Sequence, residues 1–196
     1  LGNKFLLSCK NIKDGQVKIS SKDRKIDEET LNQLRLRTKL EKNDIVITTV
    51  GTIGETAIIK DRVPDYDFQR SVGIIKPDDK KIIPKYLYYY LNSPFYQSHI
   101  RGLTRGAAQQ CLFLGPLKES IVYIASLEIQ NKIASVLSTY DKLIENNTRR
   151  IEVLEEMAQR IYKEWFVDFK YPGHENDKLV DSELGMIPEG WEVNEL

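Results

Sequence analysis

The side chains best suited to contact nucleic acid lie in and around a segment without a single carboxylate. No Asp or Glu occurs between Asp79 and Glu119, and aromatic residues alternate there with Lys and Arg. Cations attract phosphate, Arg can pair with guanine through two hydrogen bonds, and Gln can do the same with adenine. This chemistry favours DNA binding. The candidate residues, including a second polar turn near the N-terminus, are Lys10, Asn11, Lys13, Arg101, Arg105, Gln109 and Gln110.

The same segment also permits a structural interpretation. Tyrosines of 86–90 recur at helical spacing with Leu87 and Leu91, so we expect at least two aromatic side chains of 86–96 to pack in a core. A basic surface can also be merely solvated, and from charge alone this is the favoured interpretation. The glycines at 102 and 106 favour an exposed loop that presents the two arginines, 101 and 105.

The charges of the chain are unevenly distributed. The formal net charge is zero. Residues 141–196 carry 14 acidic and 7 basic side chains, whereas residues 1–140 carry 15 acidic and 22 basic ones. Opposite charges cancel only within a Debye length of about 10 Å at 0.1 M salt. A basic field over the N-terminal part therefore remains compatible with a neutral chain.

Residues with the spacing of a catalytic site are sparse. Walker loops, nucleophile elbows and Gly-rich cofactor loops are absent, and His99 and His174 stand alone. Asp65, Asp79 and Lys81 formally fit a metal-dependent nuclease, whose carboxylates must converge on Mg²⁺. Both aspartates follow prolines in turn-like sequence, so accidental spacing is the favoured interpretation. We expect no catalytic residue, metal or cofactor, and no methyltransferase, ATPase or nuclease activity of the chain alone.

The predicted secondary structure changes near residue 126, from a mixed, β-rich part to a long helix. Before it, β-branched runs and the glycine pair Gly51 and Gly54 indicate a mixed, β-rich domain. Predicted elements are strands at 45–50, 56–59, 71–76 and 117–125 and a helix at 84–92. The chain also has two isolated cysteines, Cys9 and Cys111, which suits a reducing cytoplasm, and no apolar run long enough to cross a membrane.

A long helix is predicted from Leu127 to Phe169, with Ser126 as its N-cap, about 60 Å in length at 1.5 Å per residue. Its apolar residues recur in steps of four and three, the pattern of a coiled-coil seam. Burial in a larger helical core is the alternative. The polar seam position Asn147 would select register and partner. The seam consists of Ile133, Leu137, Tyr140, Ile144, Asn147, Ile151, Leu154, Ala158, Ile161 and Trp165.

Five segments, in this order and spacing, resemble the DNA-specificity subunits of type I restriction-modification enzymes. They are FLLSCKNIKDG at 5–15, the glycine turn at 51–54, PKYLYYYLNS at 84–93, LEIQNKIA at 127–134 and MIPEGWEV at 186–193. Two features depart from the family. Its usual proline-rich approach to the long helix is missing at 121–126. The chain also has one recognition domain and one long helix where the family normally has two of each, so we expect a fragment or a half-length subunit.

The resemblance implies an α+β fold and a non-catalytic role in reading double-stranded DNA. It implies a recognition domain over 1–125, a spacer helix over 126–170 and the start of a following repeat over 171–196. It also implies modification subunits that supply methyl transfer from S-adenosylmethionine, and a restriction subunit that supplies ATP-driven translocation and cleavage, all in the cytoplasm. A second copy or second repeat would cover the helix seam. Two alternatives stay open, a coiled-coil scaffold with a protein-binding globular domain and a Mg²⁺-dependent nuclease.

Overall fold

The structure is a computed structural model that describes residues 2–60, 64–104 and 110–194. The chain divides into two compact units, Leu1–Thr139 and Tyr140–Leu196, and the boundary falls inside the long helix. Ten strands and five α-helices are described. The strands are β1 Lys4–Leu7, β2 Ile12–Lys13, β3 Gln16–Val17, β4 Arg24–Ile26, β5 Ile45–Thr48, β6 Thr56–Ile58, β7 Tyr66–Phe68, β8 Val72–Ile75, β9 Leu179–Ser182 and β10 Gly185–Pro188. The helices are α1 Glu28–Thr38, α2 Pro84–Asn92, α3 Pro94–Leu103, α4 Leu114–Lys118 and α5 Leu127–Tyr162.

Two three-stranded sheets form the first unit. In one, β1 pairs antiparallel with β4 and parallel with β7. In the other, β5 lies between β6 and β8 and is antiparallel to both. All four residues of β5 are buried, and successive side chains point to opposite faces. Val46 consequently packs with Leu7 and Phe68, whereas Ile45 and Ile47 pack with the apolar face of α2 and α3.

The predicted strands at 45–50, 56–59 and 71–76 and the helix at 84–92 are confirmed as β5, β6, β8 and α2. The strand predicted at 117–125 is wrong, because α4 ends at Lys118 and the chain continues to Ser126 without a strand. Ile121 and Tyr123 are 73% and 64% exposed. Leu117 and Val122 pack partly against the core without a strand, and both sides of β5 are already paired with β6 and β8.

The predicted loop after Arg101 begins later than expected, because Gly102 lies within α3. This helix opens with Pro94 after the cap residue Ser93, whose hydroxyl accepts a 3.3 Å hydrogen bond from the Tyr96 N–H. Tyr96 and Ile100, four residues apart, are buried on one face. Their packing holds the helix to Leu103, so Arg101 stands in its last turn.

The long helix is confirmed, with α5 followed by a π-helical turn over Lys163–Val167. At its start the Ser126 hydroxyl accepts a hydrogen bond from the Ile129 N–H at 3.4 Å. The second unit also holds the β9–β10 hairpin and an aromatic cluster of Phe166, Phe169, Tyr171 and Trp191. Residues from Tyr171 onward therefore form a hairpin and contribute two rings to this cluster. Within the described ranges, no helix is long and apolar enough to cross a membrane.

Candidate nucleic-acid interface

The connection between β5 and β6 is a tight turn that we call the glycine turn, residues 51–54. Gly51 and Gly54 have φ angles of 75° and 91°, a region that favours glycine. The Thr48 hydroxyl lies inside the turn, where it donates to the Thr52 carbonyl and accepts a 3.0 Å hydrogen bond from the Glu55 N–H. The turn is thus held from within by a buried side chain.

A 3₁₀ turn over Cys9–Asn11 lies against one side of the glycine turn. A Cβ at Gly51 would stand 3.4 Å from Cys9 Sγ, and the Cys9 N–H donates to Ser71 Oγ at 3.2 Å. The next residue, Lys10, has a side chain that is 67% exposed, with Nζ 3.1 Å from Asp23 Oδ1. Lys10 therefore projects a cation beside the glycine turn.

Asn11 is buried and supports this arrangement instead of facing solvent. Its amide donates to the Lys18 carbonyl at 2.9 Å and to Asp23 Oδ2 at 2.8 Å, and its oxygen accepts from the Ser8 N–H at 3.0 Å. The pKa of Asp23 is lowered, chiefly because the carboxylate accepts a hydrogen bond from the Ser20 N–H; burial opposes this, and Lys10 and Asn11 lower the pKa further. The buried amide and carboxylate thus position Lys10.

The β2–β3 hairpin follows directly and carries Lys13, whose side chain is exposed. Its turn residues Asp14 and Gly15 both have positive φ, the geometry of a tight hairpin turn. Lys18 Nζ lies 2.6 Å from Asp14 Oδ2 across the turn. The hydrogen bond from Lys18 is also the main reason that the pKa of Asp14 is lowered. The hairpin therefore presents Lys13 while the charge of Lys18 is balanced locally.

Helix α3 lies on the other side of the glycine turn. Gln97 Nε2 donates to the Gly54 carbonyl at 2.9 Å and to the Leu91 carbonyl at 2.8 Å. Arg101 follows Gln97 by four residues, which places it one helical turn later on the same face, and it is exposed. Gln110 is also exposed. It precedes Cys111, which forms a β-bridge with Val50 directly before the glycine turn. Arg105 and Gln109 lie outside the described residues.

Two exposed polar residues beside this turn were missed by the sequence analysis, Gln69 and Arg70 in the β7–β8 connection. The Gln69 N–H donates to the Leu7 carbonyl at 2.8 Å, and the Arg70 carbonyl accepts from the Thr49 hydroxyl at 3.4 Å. These contacts tie the connection both to the end of β1 and to the end of β5. The available signal was a Gln-Arg pair between two short apolar runs.

The aromatic residues of 86–96 divide between core and surface. Tyr96 is buried, and burial is the main reason that its pKa is raised. Tyr86, Tyr88 and Tyr90 are partly buried against the same cluster, which confirms that several of these rings pack in the core. Phe95 is 62% exposed, with its ring centroid 6.1 Å from that of Tyr123.

Two residues of the nuclease alternative are paired with other side chains. Asp65 Oδ1 lies 2.5 Å from Lys4 Nζ, and Lys81 Nζ lies 3.6 Å from Asp78 Oδ2. Asp79 is exposed in a turn. Across the described parts of the chain, no three His, Cys, Asp or Glu side chains are grouped to hold a metal ion. The arrangement gives the nuclease alternative no support.

The predicted seam of α5 is exposed along its whole length. Leu137 in the first unit is 38% exposed, and Ile144 and Leu154 in the second are 63% and 62% exposed. Only Gln130 and Ala134 are buried within this helix. An apolar stripe of this length is a typical interface feature, because exposed apolar surface is stabilised by burial.

Comparison with known proteins agrees with this architecture. Residues 6–156 match the family model for the type I restriction modification DNA specificity domain. The MjaIX specificity subunit of Methanocaldococcus jannaschii is 34% identical over 181 residues, which are 92% of this chain and 40% of that protein. The EcoBI specificity subunit of Escherichia coli is 34% identical over 128 residues, 65% of this chain and 26% of that protein.

Solved structures show the same fold. The type I restriction-modification S subunit from M. genitalium superposes with a TM-score of 0.63 at 20% identity, over 92% of this chain and 45% of that one. The HsdS subunit from Thermoanaerobacter tengcongensis has a TM-score of 0.52 at 14% identity, over 91% of this chain and 47% of that one. The chain thus spans less than half the length of the relatives and structures that it matches.

Proposed function

The chain belongs to the type I restriction-modification DNA specificity family, and on this premise we propose that it reads a specific sequence in duplex DNA. Its role is to position modification and restriction subunits on a two-part site in cytoplasmic DNA. The chain itself supplies recognition and carries out no methyl transfer or cleavage.

The observation that carries this proposal is the grouping of exposed cations and amides around the glycine turn. Four separate segments converge there, each held by hydrogen bonds or close contact: the 3₁₀ turn of Lys10, the connection of Gln69 and Arg70, helix α3 with Arg101, which is held through Gln97, and the bridge residue Cys111 after Gln110. Rigid elements that converge on one edge can enter a groove together, which base recognition requires.

Different roles follow from the chemistry of each group. Lys10 and Lys13 are single flexible cations, which suit phosphate contacts. Arg70 and Arg101 can pair bidentately with guanine, and Gln69 and Gln110 with adenine. Arg105 and Gln109 remain candidates from the sequence. Asn11 becomes a positioning residue, since its amide is already used within the chain.

The seam of α5 is the second functional surface in the proposal. In this chain it would be covered by a second copy packed antiparallel, which two-fold symmetry allows; in a longer subunit a second repeat would serve instead. Either arrangement places one recognition domain at each end of the paired helices. The helices then set the distance between the two halves of the DNA site, and modification subunits assemble on this frame.

The proposal can be tested by selecting bound sites from random duplex DNA. The chain is first assembled with its modification subunits. We expect a two-part consensus with a fixed spacer. Arg101→Ala and Arg70→Ala should each cost about 1–3 kcal/mol and relax one base position, whereas Lys10→Ala should lower the salt slope of binding by about one. Lys25→Ala, on the edge strand β4, removes one positive charge as the control. It should change neither the base preference nor the salt dependence of binding.

Three results would contradict the proposal. Binding without sequence preference would remove the recognition role. Unchanged partner binding without salt-dependent DNA affinity would favour the scaffold alternative. Mg²⁺-dependent cleavage of DNA by the isolated chain would favour the nuclease alternative.

A further inference from the structure

Gln130 is fully buried although it lies on a helix whose other residues are mostly exposed. It stands in the first turns of α5, within the first unit of the chain. A buried side-chain amide is costly unless each of its polar groups finds a partner. The hydrogen-bond partners of Gln130 therefore show which part of the domain the start of α5 is attached to.

The amide of Gln130 joins the beginnings of two helices. Its Oε1 accepts a 2.8 Å hydrogen bond from the N–H of Ile83, the cap residue of α2. Its Nε2 donates to the Lys81 carbonyl at 3.1 Å and to the Ala125 carbonyl at 2.7 Å. Both amide N–H groups and the oxygen are thus used, on the segment before α2 and on Ala125, which precedes the cap residue of α5.

A second contact lies one turn further along the same face. Ala134 is 5% exposed and follows Gln130 by four residues, so the two side chains stand on one side of α5. Two buried positions one turn apart show that the first turns of α5 face the domain along one side, while the hydrogen bonds of Gln130 fix the point of attachment.

The other end of α2 continues this connection toward the glycine turn. Asn92 Nδ2 donates to Thr56 Oγ1 at 2.6 Å, and Gln97 Nε2 in α3 donates to the Gly54 carbonyl. The cap of α2 therefore contacts Gln130 of α5, the other end of α2 contacts β6, and the following helix α3 contacts the glycine turn.

We propose that Gln130 is a positioning residue that locks the direction of α5 relative to the recognition surface and thereby sets the spacer length that the protein accepts. This inference rests on the proposed function. One base pair added between the half-sites shifts them by about 3.4 Å and rotates them by about one tenth of a turn. A rigid helix junction makes such a shift costly, whereas a loose junction absorbs it.

The test measures the junction and the spacer preference separately. Spin labels attached through unnatural amino acids at the exposed positions Gln33 and Thr139 report the distance between α1 and α5 in the full chain, with Cys9 and Cys111 left intact. Gln130→Met keeps a side chain of similar length but loses all three hydrogen bonds. Gln130→Glu keeps an oxygen that accepts from Ile83. Its second carboxylate oxygen replaces the donor group and would face the Lys81 and Ala125 carbonyls, which it repels. Asn131→Ala, one exposed position away, is the control.

We expect a narrow distance distribution for the parent and the control, and a broad one for both Gln130 variants. Binding to the selected half-sites at altered spacing should then become easier, with the preference for the native spacer reduced by about 2- to 30-fold, the range typical for a residue that couples two sites. The base preference within each half-site should stay unchanged. For Gln130→Glu, low pH should narrow the distribution again, because a protonated carboxyl regains one donor.

Two outcomes would overturn the inference. One is a narrow distribution with an intact spacer preference in both variants. The other is loss of half-site recognition together with spacer preference, which would assign Gln130 to the folding of the recognition domain. If the parent bound no specific DNA, the proposed function would fail, yet the label distances would still decide whether Gln130 holds the junction.

Discussion

The side-chain amide of Asn11 donates a 2.8 Å hydrogen bond to Oδ2 of Asp23, and both groups are buried. The other carboxylate oxygen of Asp23 lies 3.1 Å from Nζ of the exposed Lys10. The buried pair of Asn11 and Asp23 therefore contacts an exposed cation, Lys10, at the candidate DNA interface. Such an arrangement restricts the lysine without removing it from solvent.

Replacement of this carboxylate in Asp23→Asn should destabilise the chain in a pH-dependent way. The pKa of Asp23 is lowered from its ordinary value of 3.8, first by the Ser20 N–H. The stabilisation is therefore complete above that value and is lost as the pH falls through the folded-state pKa. Urea unfolding at a series of pH values gives the free energy of unfolding of each protein. The difference between parent and variant should be constant from pH 7 to about 5 and should shrink below about pH 4.

Asp14→Asn provides the matched control for this measurement. Asp14 also has a lowered pKa, through Lys18, but its side chain is 65% exposed. Solvent screening should leave its effect on unfolding small at every pH. A gap between parent and Asp23→Asn that stays the same at pH 3 as at pH 7 would contradict the role assigned to the carboxylate.

The glycine turn should not tolerate a side chain at Gly54. Its φ of 91° is unfavourable for other residues, and an added Cβ would lie 2.7 Å from Gln97 Oε1. We expect Gly54→Ala to cost about 1–3 kcal/mol of stability, because the backbone is strained and the Gln97 side chain must move, and to weaken DNA binding as the Gln97 hydrogen bond to this turn is disturbed. The control is Gly102→Ala in α3, where the added Cβ meets open space; it should be neutral or stabilise by up to about 1 kcal/mol. Equal unfolding midpoints for the two variants would argue against this account.

The helix seam should control self-association. Leu137 and Ile151 are exposed in the single chain, and each should contribute about 1.5–3 kcal/mol when buried against a partner helix. The double variant Leu137→Asp and Ile151→Asp should sediment as a monomer and lose two-part site recognition while the recognition domain stays folded. The control with the same added charge is Ser135→Asp and Asn146→Asp, off the seam. A stable monomer of the parent with its helix fully formed would refute the arrangement.

The aromatic cluster of the second unit should depend on Trp191. Its ring centroid lies 5.6 Å from that of Tyr171 and 5.4 Å from that of Phe169. Each such pair adds about 0.5–1.5 kcal/mol beyond the buried area. We expect Trp191→Ala to lose near-ultraviolet circular dichroism and to expose residues 171–194 to proteolysis, whereas Glu192→Ala should do neither. Unchanged protease resistance in Trp191→Ala would show that the hairpin holds without the cluster.

The elements that rest on local patterns could be predicted from the sequence. The seam of α5 repeats over many turns, and α2 is bounded by Pro84 and by the Ser93-Pro94 pair, so each carries its own signal. The two glycines marked the β5–β6 turn. The family was recognisable because several loose motifs occur in a particular order. The DNA-contacting residues stay predictions, since nothing in the fold by itself identifies a bound base.

Tertiary structure decided which polar side chains face outward and which are used inside the chain. Asn11 and Lys10 are neighbours of similar polarity, yet one is buried and the other exposed, because only the fold brings Asp23 to this turn. The segment 119–125 has apolar residues, yet Ile121 and Tyr123 are exposed in the fold and the segment pairs with no described strand. Gln130 looks like any polar residue on a helix surface. Its burial depends on Lys81 and Ile83, nearly fifty residues earlier, and contacts across such distances leave no periodic trace in the sequence.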